Sequence, residues 1–237
     1  MTGRARGVKM QWTVIARRLA FVVSAVVTIV SIAYSIDSHV DLFAVHAVNM
    51  TSAVFRPSST FDVRYVPFVI TFLSSLCLMP QMVFELDEAV WWRWADWTIT
   101  VPIMMALISA LAGVRDVWLV AAQAFLAIPT ILSGVLMDAS EPPAAWIAFA
   151  MGGVTMLFSW ITIFWHLSQT EAPHFVYGIV GSQFGMFLAY PAVAARARVR
   201  GWTLEHTELV YTWLGTVTKA ILAFILVFGV RAQGREN

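Results

Sequence analysis

Seven separate stretches of about twenty mainly apolar residues dominate this sequence, near 12–35, 63–84, 90–112, 116–137, 145–167, 174–195 and 208–230. A hydrocarbon layer about 30 Å thick takes roughly 20 such residues of helix to cross, and a backbone in lipid must satisfy its own hydrogen bonds, as a helix does. The expected fold is all-α: a bundle of seven transmembrane helices, with 1–237 as one membrane domain. Composition agrees, since 59% of residues are hydrophobic, 12% are charged and the mean hydropathy is +0.75, outside the soluble range. Membrane lipid is thus the first partner implied. The breaks carry turn residues, as in "RPSST", "ELDEA", "GVRD", "DASEPP", "QTEAP" and "RARVRGWTLEHTE". No internal repeat is evident.

Orientation follows from the bias of Lys and Arg toward cytoplasmic loops. The face carrying the N-terminus holds eight: Arg4, Arg6, Lys9, Arg17, Arg18, Arg196, Arg198 and Arg200. The opposite face holds five: Arg56, Arg64, Arg115, Arg231 and Arg235. A cytoplasmic N-terminus and an extracytoplasmic C-terminus are therefore expected in a multi-pass cell-membrane protein. The long connection at about 36–62 then lies outside the cytoplasm, and its length implies some structure of its own. The opening "MTGRARGVKMQWTVIARRLAF" has the basic start of a signal peptide, but the apolar run continues without a convincing cleavage site. It reads as a retained first helix.

Several function classes find no support. A net charge of +1 and a pI near 8.0 argue against a nucleic-acid partner. The single cysteine, Cys77, has no internal disulfide partner and reads as a packing residue. There is no Gly-rich phosphate loop and no His/Cys metal cluster, and His39, His46, His166, His174 and His206 all lie in or beside loops. Neither an enzyme nor a metal site is expected. "NMT" at Asn49 is a formal glycosylation sequon, uninformative without a known host.

The informative residues are the charges inside the spans. Lys219 sits near the middle of "YTWLGTVTKAILAFILVFG", and Asp96 lies within "WWRWADWTITVPIMM" with Arg93 one turn nearer the cytoplasmic end. An intramembrane charge costs at least about 2.5–3.5 kcal/mol, so an unpaired one needs a use. One use is a structural Asp–Lys pair joining the third and seventh helices. Another is chemical: a desolvated lysine forms a Schiff base with an aldehyde, and once protonated that linkage needs a fixed anion. Arg93, Asp96 and Thr100 recur at spacings of three and four, which places them on one helical face. Trp97 beside them offers a flat wall to a polyene, whereas Trp91 and Trp92 read as interfacial belt residues.

With these residues in view, "RWADWTITVP" and the seventh-helix lysine resemble the microbial rhodopsins, seven-helix proteins that carry retinal on that lysine. Two branches of that group share marks with this chain. "RWADW", "TVPI" and "FLAYPAV" look like the pump-containing type 1 branch. The charge bias, the 36–62 loop and the segments "ILSGVLMD", "FSWITIF", "PHFVYGIVGSQFGMF" and "GWTLEHTELVYTWLGTVTKAILAF" resemble heliorhodopsins, which are inverted, with the N-terminus in the cytoplasm. Glu208, Tyr211 and Lys219 match that family's seventh-helix spacing. The chain is thus similar to a heliorhodopsin from about residue 65 onward, with some type 1 features.

The resemblance implies a light-sensing photoreceptor carrying all-trans retinal on Lys219 as a protonated Schiff base, with Asp96 as counterion. It also implies a homodimer, and it admits a cytoplasmic signalling partner reached through "RARVRGW" and the basic N-terminus. Trp97, Met104, Phe187, Tyr190 and Pro191 are the expected sleeve for the chromophore, with Ile128, Pro129 and Trp160 as weaker inward-facing candidates. Pro191 also permits a local kink. Heliorhodopsins usually have Glu followed by Tyr where this chain has Asp96 and Trp97, and the family's second-helix histidine would fall near Met79. One turn before the lysine, where pumps carry Asp and heliorhodopsins Ser, stands Gly215. The alternative is a light-driven proton pump or light-gated channel. Pumps place a carboxylic donor eleven residues after the counterion, and that position is Leu107, so efficient pumping is disfavoured. Glu208 has two readings, a cap on the seventh helix or a group for proton exchange.

Overall fold

The computed structural model describes residues 2–37, 43–48, 55–61, 66–81 and 86–233. Asn49 and His39 lie outside them. Seven helices follow one another among the described residues: α1 (Thr2–Asp37), α2 (Val66–Gln81), α3 (Leu86–Leu111), α4 (Val117–Ala139), α5 (Ala144–Ser168), α6 (His174–Arg200) and α7 (Leu204–Gln233). Between α1 and α2 a two-stranded antiparallel hairpin, β1 (Phe43–Val48) and β2 (Phe55–Phe61), pairs Phe43 with Phe61 and Val48 with Phe55. The long connection therefore has structure of its own, and the hairpin lies against α3 and α4.

Six of the helices carry a segment long and apolar enough to cross a membrane. The seventh, α2, is apolar over Val66–Pro80 among the described residues, and both ends of the expected 63–84 stretch lie outside them. The first and last helices run past the expected spans, and α7 begins at Leu204, four residues before the expected start.

Each helix packs on the next around the bundle, α1 closes the ring against α7, and α3 also touches α6 and α7. The α5–α6 contact is slight beside the α4–α5 and α6–α7 contacts. Small and hydroxylated residues let the backbones approach, as is usual in lipid. Gly152 of α5 sits on Ser133 of α4, where an added Cβ would lie 3.0 Å from the serine Cβ. Thr130 and Thr155 hydrogen-bond across the same seam at 2.7 Å. Ser24 of α1 bonds Ser75 of α2 at 2.9 Å. Helix ends are closed locally: the Asp116 side chain accepts from Trp118 N–H at the start of α4. Gly201 takes the left-handed conformation, φ 60°, that stops α6.

The interior is divided by polarity. The half toward the C-terminal end of α7 is a mainly apolar core of Ile70, Met104, Leu107, Ile108, Leu222 and Leu226 with their neighbours, in which Ser109 and Gln123 are also buried. The other half, toward the N-terminal end of α1, holds Arg17, Arg93, Asp96 and Glu208, all buried. Lys219 stands at the boundary.

Candidate functional site

α3 and α7 bring the two expected charges together. Lys219 Nζ lies 2.5 Å from Asp96 Oδ2, with the side chains 5% and 7% exposed. The pair is not closed by those two groups alone. Ser74 of α2 accepts from Lys219 Nζ at 2.7 Å and donates to Asp96 Oδ2 at 3.3 Å. Thr100 donates to the Asp96 carbonyl at 2.8 Å and sits 3.3 Å from Oδ1. Asp96 Oδ2 thus has two donors, the Lys219 ammonium and the Ser74 hydroxyl, the condition under which a buried charge is tolerated. Ser74 was not among the residues singled out from the sequence, because one hydroxyl in "FLSSLCLMPQ" carries no mark of pairing with a residue 145 positions away.

Beside the pair lies an apolar cavity of about 140 Å³, whose lining includes Lys219 and Thr218 of α7, Met137 of α4, Ala148 of α5 and Ala194 of α6. Trp97, Met104, Phe187, Tyr190 and Pro191, the expected sleeve, all line it. Gly215 is adjacent: a Cβ there would lie 3.6 Å from Tyr190 Oη and 3.7 Å from Trp97 Nε1. Trp97 stands edge-on to Tyr190 and Tyr211 at 4.7 and 5.4 Å between ring centres. The weaker candidates fare differently. Trp160 is buried behind the wall against Phe184 and Phe187, whereas Pro129 is exposed, and neither it nor Ile128 lines the cavity. The reason is helical phase: the α4 face that turns inward is the one bearing Gln123, Ala127 and Ile131.

Arg93 does not join Asp96 directly. It turns toward the N-terminal end of the bundle, where Nε donates to Glu208 Oε2 at 3.0 Å and Nη2 to Asp138 Oδ2 at 3.0 Å. Its guanidinium lies over Trp94, Tyr211 and Trp97 at 4.2, 4.6 and 5.0 Å from their ring centres, contacts that offset its desolvation. Glu208 is in the second turn of α7 and 2% exposed, so it does not cap the helix. Asp138, at the end of α4, was missed by the sequence reading because it looks like one more polar residue in a loop. Arg198 of α6 donates to the carbonyls of Met137 and Ser140 and satisfies that end of α4.

The family model described as Heliorhodopsin matches residues 10–230. The chain belongs to the heliorhodopsin family. Its fold is shared with solved microbial rhodopsins. Cyanorhodopsin from the cyanobacterium Tolypothrix aligns at a TM-score of 0.76 and 14% identity, over 94% of this chain and 98% of that one. Xanthorhodopsin, described as a light-driven ion pump with dual chromophore, aligns at 0.76 and 13%, over 96% and 95%. A light-driven proton pump from Leptosphaeria maculans aligns at 0.74 and 14%, over 94% and 96%. At such identities the likeness shows the fold alone. No curated protein sequence matches the chain.

A heliorhodopsin is a multi-pass membrane protein, and family membership implies a retinal chromophore. The residues present fit one. The cavity is lined mainly by apolar side chains, a buried amine is part of its lining, and α5 leaves room along its wall: Gly153 lines the cavity and nothing stands within 4 Å of where its Cβ would be.

Proposed function

We propose that this heliorhodopsin is a light-sensing photoreceptor in which Lys219 carries all-trans retinal as a protonated Schiff base and Asp96 is the counterion. The observation that carries the reading is the buried Lys219 amine lining an apolar cavity, 2.5 Å from a carboxylate. Bound there, retinal supplies a chromophore whose isomerisation by light changes its shape. The chain's own residues do the rest. Asp96 holds the positive charge at the lysine nitrogen, Ser74 and Thr100 orient Asp96, and Trp97, Met104, Phe187, Tyr190 and Pro191 confine the polyene and exclude water. The orientation proposed from the charge bias is N-terminus cytoplasmic, C-terminus extracytoplasmic, which puts the Arg93 cluster on the cytoplasmic side. A homodimer, and a cytoplasmic signalling partner met through 196–202, complete the proposal.

Sensing is favoured over pumping by Leu107. It stands where pumps place a carboxylic donor, yet it carries no titratable group and is 1% exposed within the apolar core, so it does not reload the lysine nitrogen. The test is to add all-trans retinal to membranes containing the chain and record the visible spectrum. Borohydride under illumination then fixes the chromophore, and peptide mapping places it on Lys219. Membranes that stay colourless, or a label on another residue, overturn the reading.

A further inference from the structure

Five residues on the lining of the apolar cavity bear a hydroxyl group, Thr130, Ser133, Tyr190, Tyr211 and Thr218, and these groups are not equally engaged. Thr130 of α4 bonds the Leu126 carbonyl and the Thr155 hydroxyl, Thr218 of α7 donates to the Leu214 carbonyl, and Tyr190 of α6 donates to Thr218 Oγ1. Tyr211 makes no hydrogen bond among the described residues, but Arg93 lies over its ring and it also lines a second, small cavity with Arg93 and Asp96. Ser133 has no such company. It is 6% exposed, lines the cavity from α4, and its hydroxyl makes no hydrogen bond among the described residues. Helix hydroxyls elsewhere in the bundle turn back on the carbonyl four residues earlier, as those of Thr100, Ser109 and Thr216 do. Ser133 does not use that bond. Across the seam stands Gly152 of α5, where an added Cβ would lie 3.7 Å from Ser133 Oγ, so the residue facing the hydroxyl brings no side chain to cover it.

We propose that Ser133 selects a retinal whose ring carries an oxygen, as a hydroxyl or an oxo group, over retinal itself. This rests on the retinal reading and narrows the class of chromophore. Lys219 lies on α7, which packs on α1, α2, α3 and α6, whereas Ser133 lies on α4, which packs on α3, α5 and β1. A stiff all-trans polyene joined at Lys219 therefore carries its ring away from α7, to the side of the cavity that α4 and α5 line. Condensation at Lys219 Nζ releases one water whatever the ring bears, so the selection falls on the ring. Space for a substituent exists on that side, since nothing stands within 4 Å of where a Cβ on Gly153 would be. The Ser133 hydroxyl can donate to an oxo oxygen, and can either donate to or accept from a hydroxyl. The hydrocarbon ring of retinal leaves it unpaired, and an unmade bond at a buried hydroxyl is destabilising. A site with such a group discriminates against the ligand that lacks its partner. One neutral hydrogen bond corresponds to a preference of about fivefold.

The experiment gives the full chain, in membranes, an equimolar mixture of all-trans retinal with its 4-oxo or its 3-hydroxy derivative. Hydroxylamine then releases the bound aldehydes as oximes, which chromatography quantifies. Partition into lipid is common to all variants, so the uptake ratio is read against Ser133→Ala: the wild type is expected to favour the ring-oxygenated aldehyde about fivefold more than that variant does. Thr130→Val removes a hydroxyl that is already bonded and is expected to keep the wild-type ratio. Equal ratios in the wild type and Ser133→Ala, or a ratio lowered as far by Thr130→Val, overturn the inference, and the pigment that forms leaves the retinal reading standing. If none of the three aldehydes forms a pigment, the retinal reading falls and this inference with it. A second arm needs no pigment. The melting temperature of the retinal-free chain is measured with β-ionone and with 4-oxo-β-ionone, the ring fragments alone. The oxo fragment is expected to stabilise the wild type more than β-ionone does, and Ser133→Ala no more than β-ionone does. Fragments that act alike on the wild type, or that differ equally in the variant, contradict the assignment.

Discussion

Replacing Arg93 with alanine is the sharpest test of how the polar half of the bundle is held together. Arg93 is 4% exposed, Glu208 is 2% exposed, and each is the other's main counter-charge. Removing one member of a buried ion pair costs about 3–5 kcal/mol, because the remaining charge is stranded. The lost contacts with the Trp94, Trp97 and Tyr211 rings add about 0.5–2 kcal/mol. The Asp138 pair behaves otherwise: with that carboxylate 43% exposed, solvent screens it and the pair is worth about 0–1 kcal/mol. The expected order of destabilisation is therefore Arg93→Ala far above Asp138→Asn, separated by about 3 kcal/mol. Adding Glu208→Gln to Arg93→Ala removes the stranded charge and recovers part of the loss. Unfolding of the retinal-free chain by SDS in mixed micelles, followed by helical circular dichroism, measures all four proteins. An Arg93→Ala cost below about 1 kcal/mol, or an Asp138→Asn cost equal to it, refutes the reasoning.

Other outcomes follow from the Lys219 end. Lys219→Ala leaves a colourless protein when retinal is added, and an unchanged visible band in that variant removes the assignment. Asp96→Asn shifts the absorption to the red or weakens proton binding at the lysine nitrogen, because the fixed anion is gone. Indifference in both spectrum and pH titration places the counterion elsewhere. Ser74→Ala removes the hydroxyl that bridges Lys219 and Asp96 and moves the band in a spectrum taken at constant pH, with helix content unchanged. Gly153→Phe places a ring where the cavity wall is open and slows pigment formation, measured as the rate of colour appearance.

Much of the site was legible because the membrane makes exceptions conspicuous. Lys219 and Asp96 stood out against runs of apolar residues, and the three-and-four spacing put Arg93 and Thr100 on the same face of α3. The partners of those residues were not legible. Ser74 and Asp138 are unremarkable until α2 and α4 are laid against α3, and Glu208 could be read as a helix cap until α7 was found to begin at Leu204. Pro129 failed as an inward residue because a single-helix reading of α4 does not define which stripe faces the bundle when nearly all its residues are apolar.

By itself the sequence determined the number of helices, the medium they sit in and the two charges that must find each other, since hydropathy and desolvation act on each segment wherever it is placed. Only the tertiary structure decided that Arg93 turns away from Asp96 to serve Glu208 and Asp138, and that the buried charges gather on one side of a mainly apolar core that begins at Lys219. Those choices depend on the rotation and depth of helices far apart in the chain, where geometry settles which charges are close enough to compensate one another.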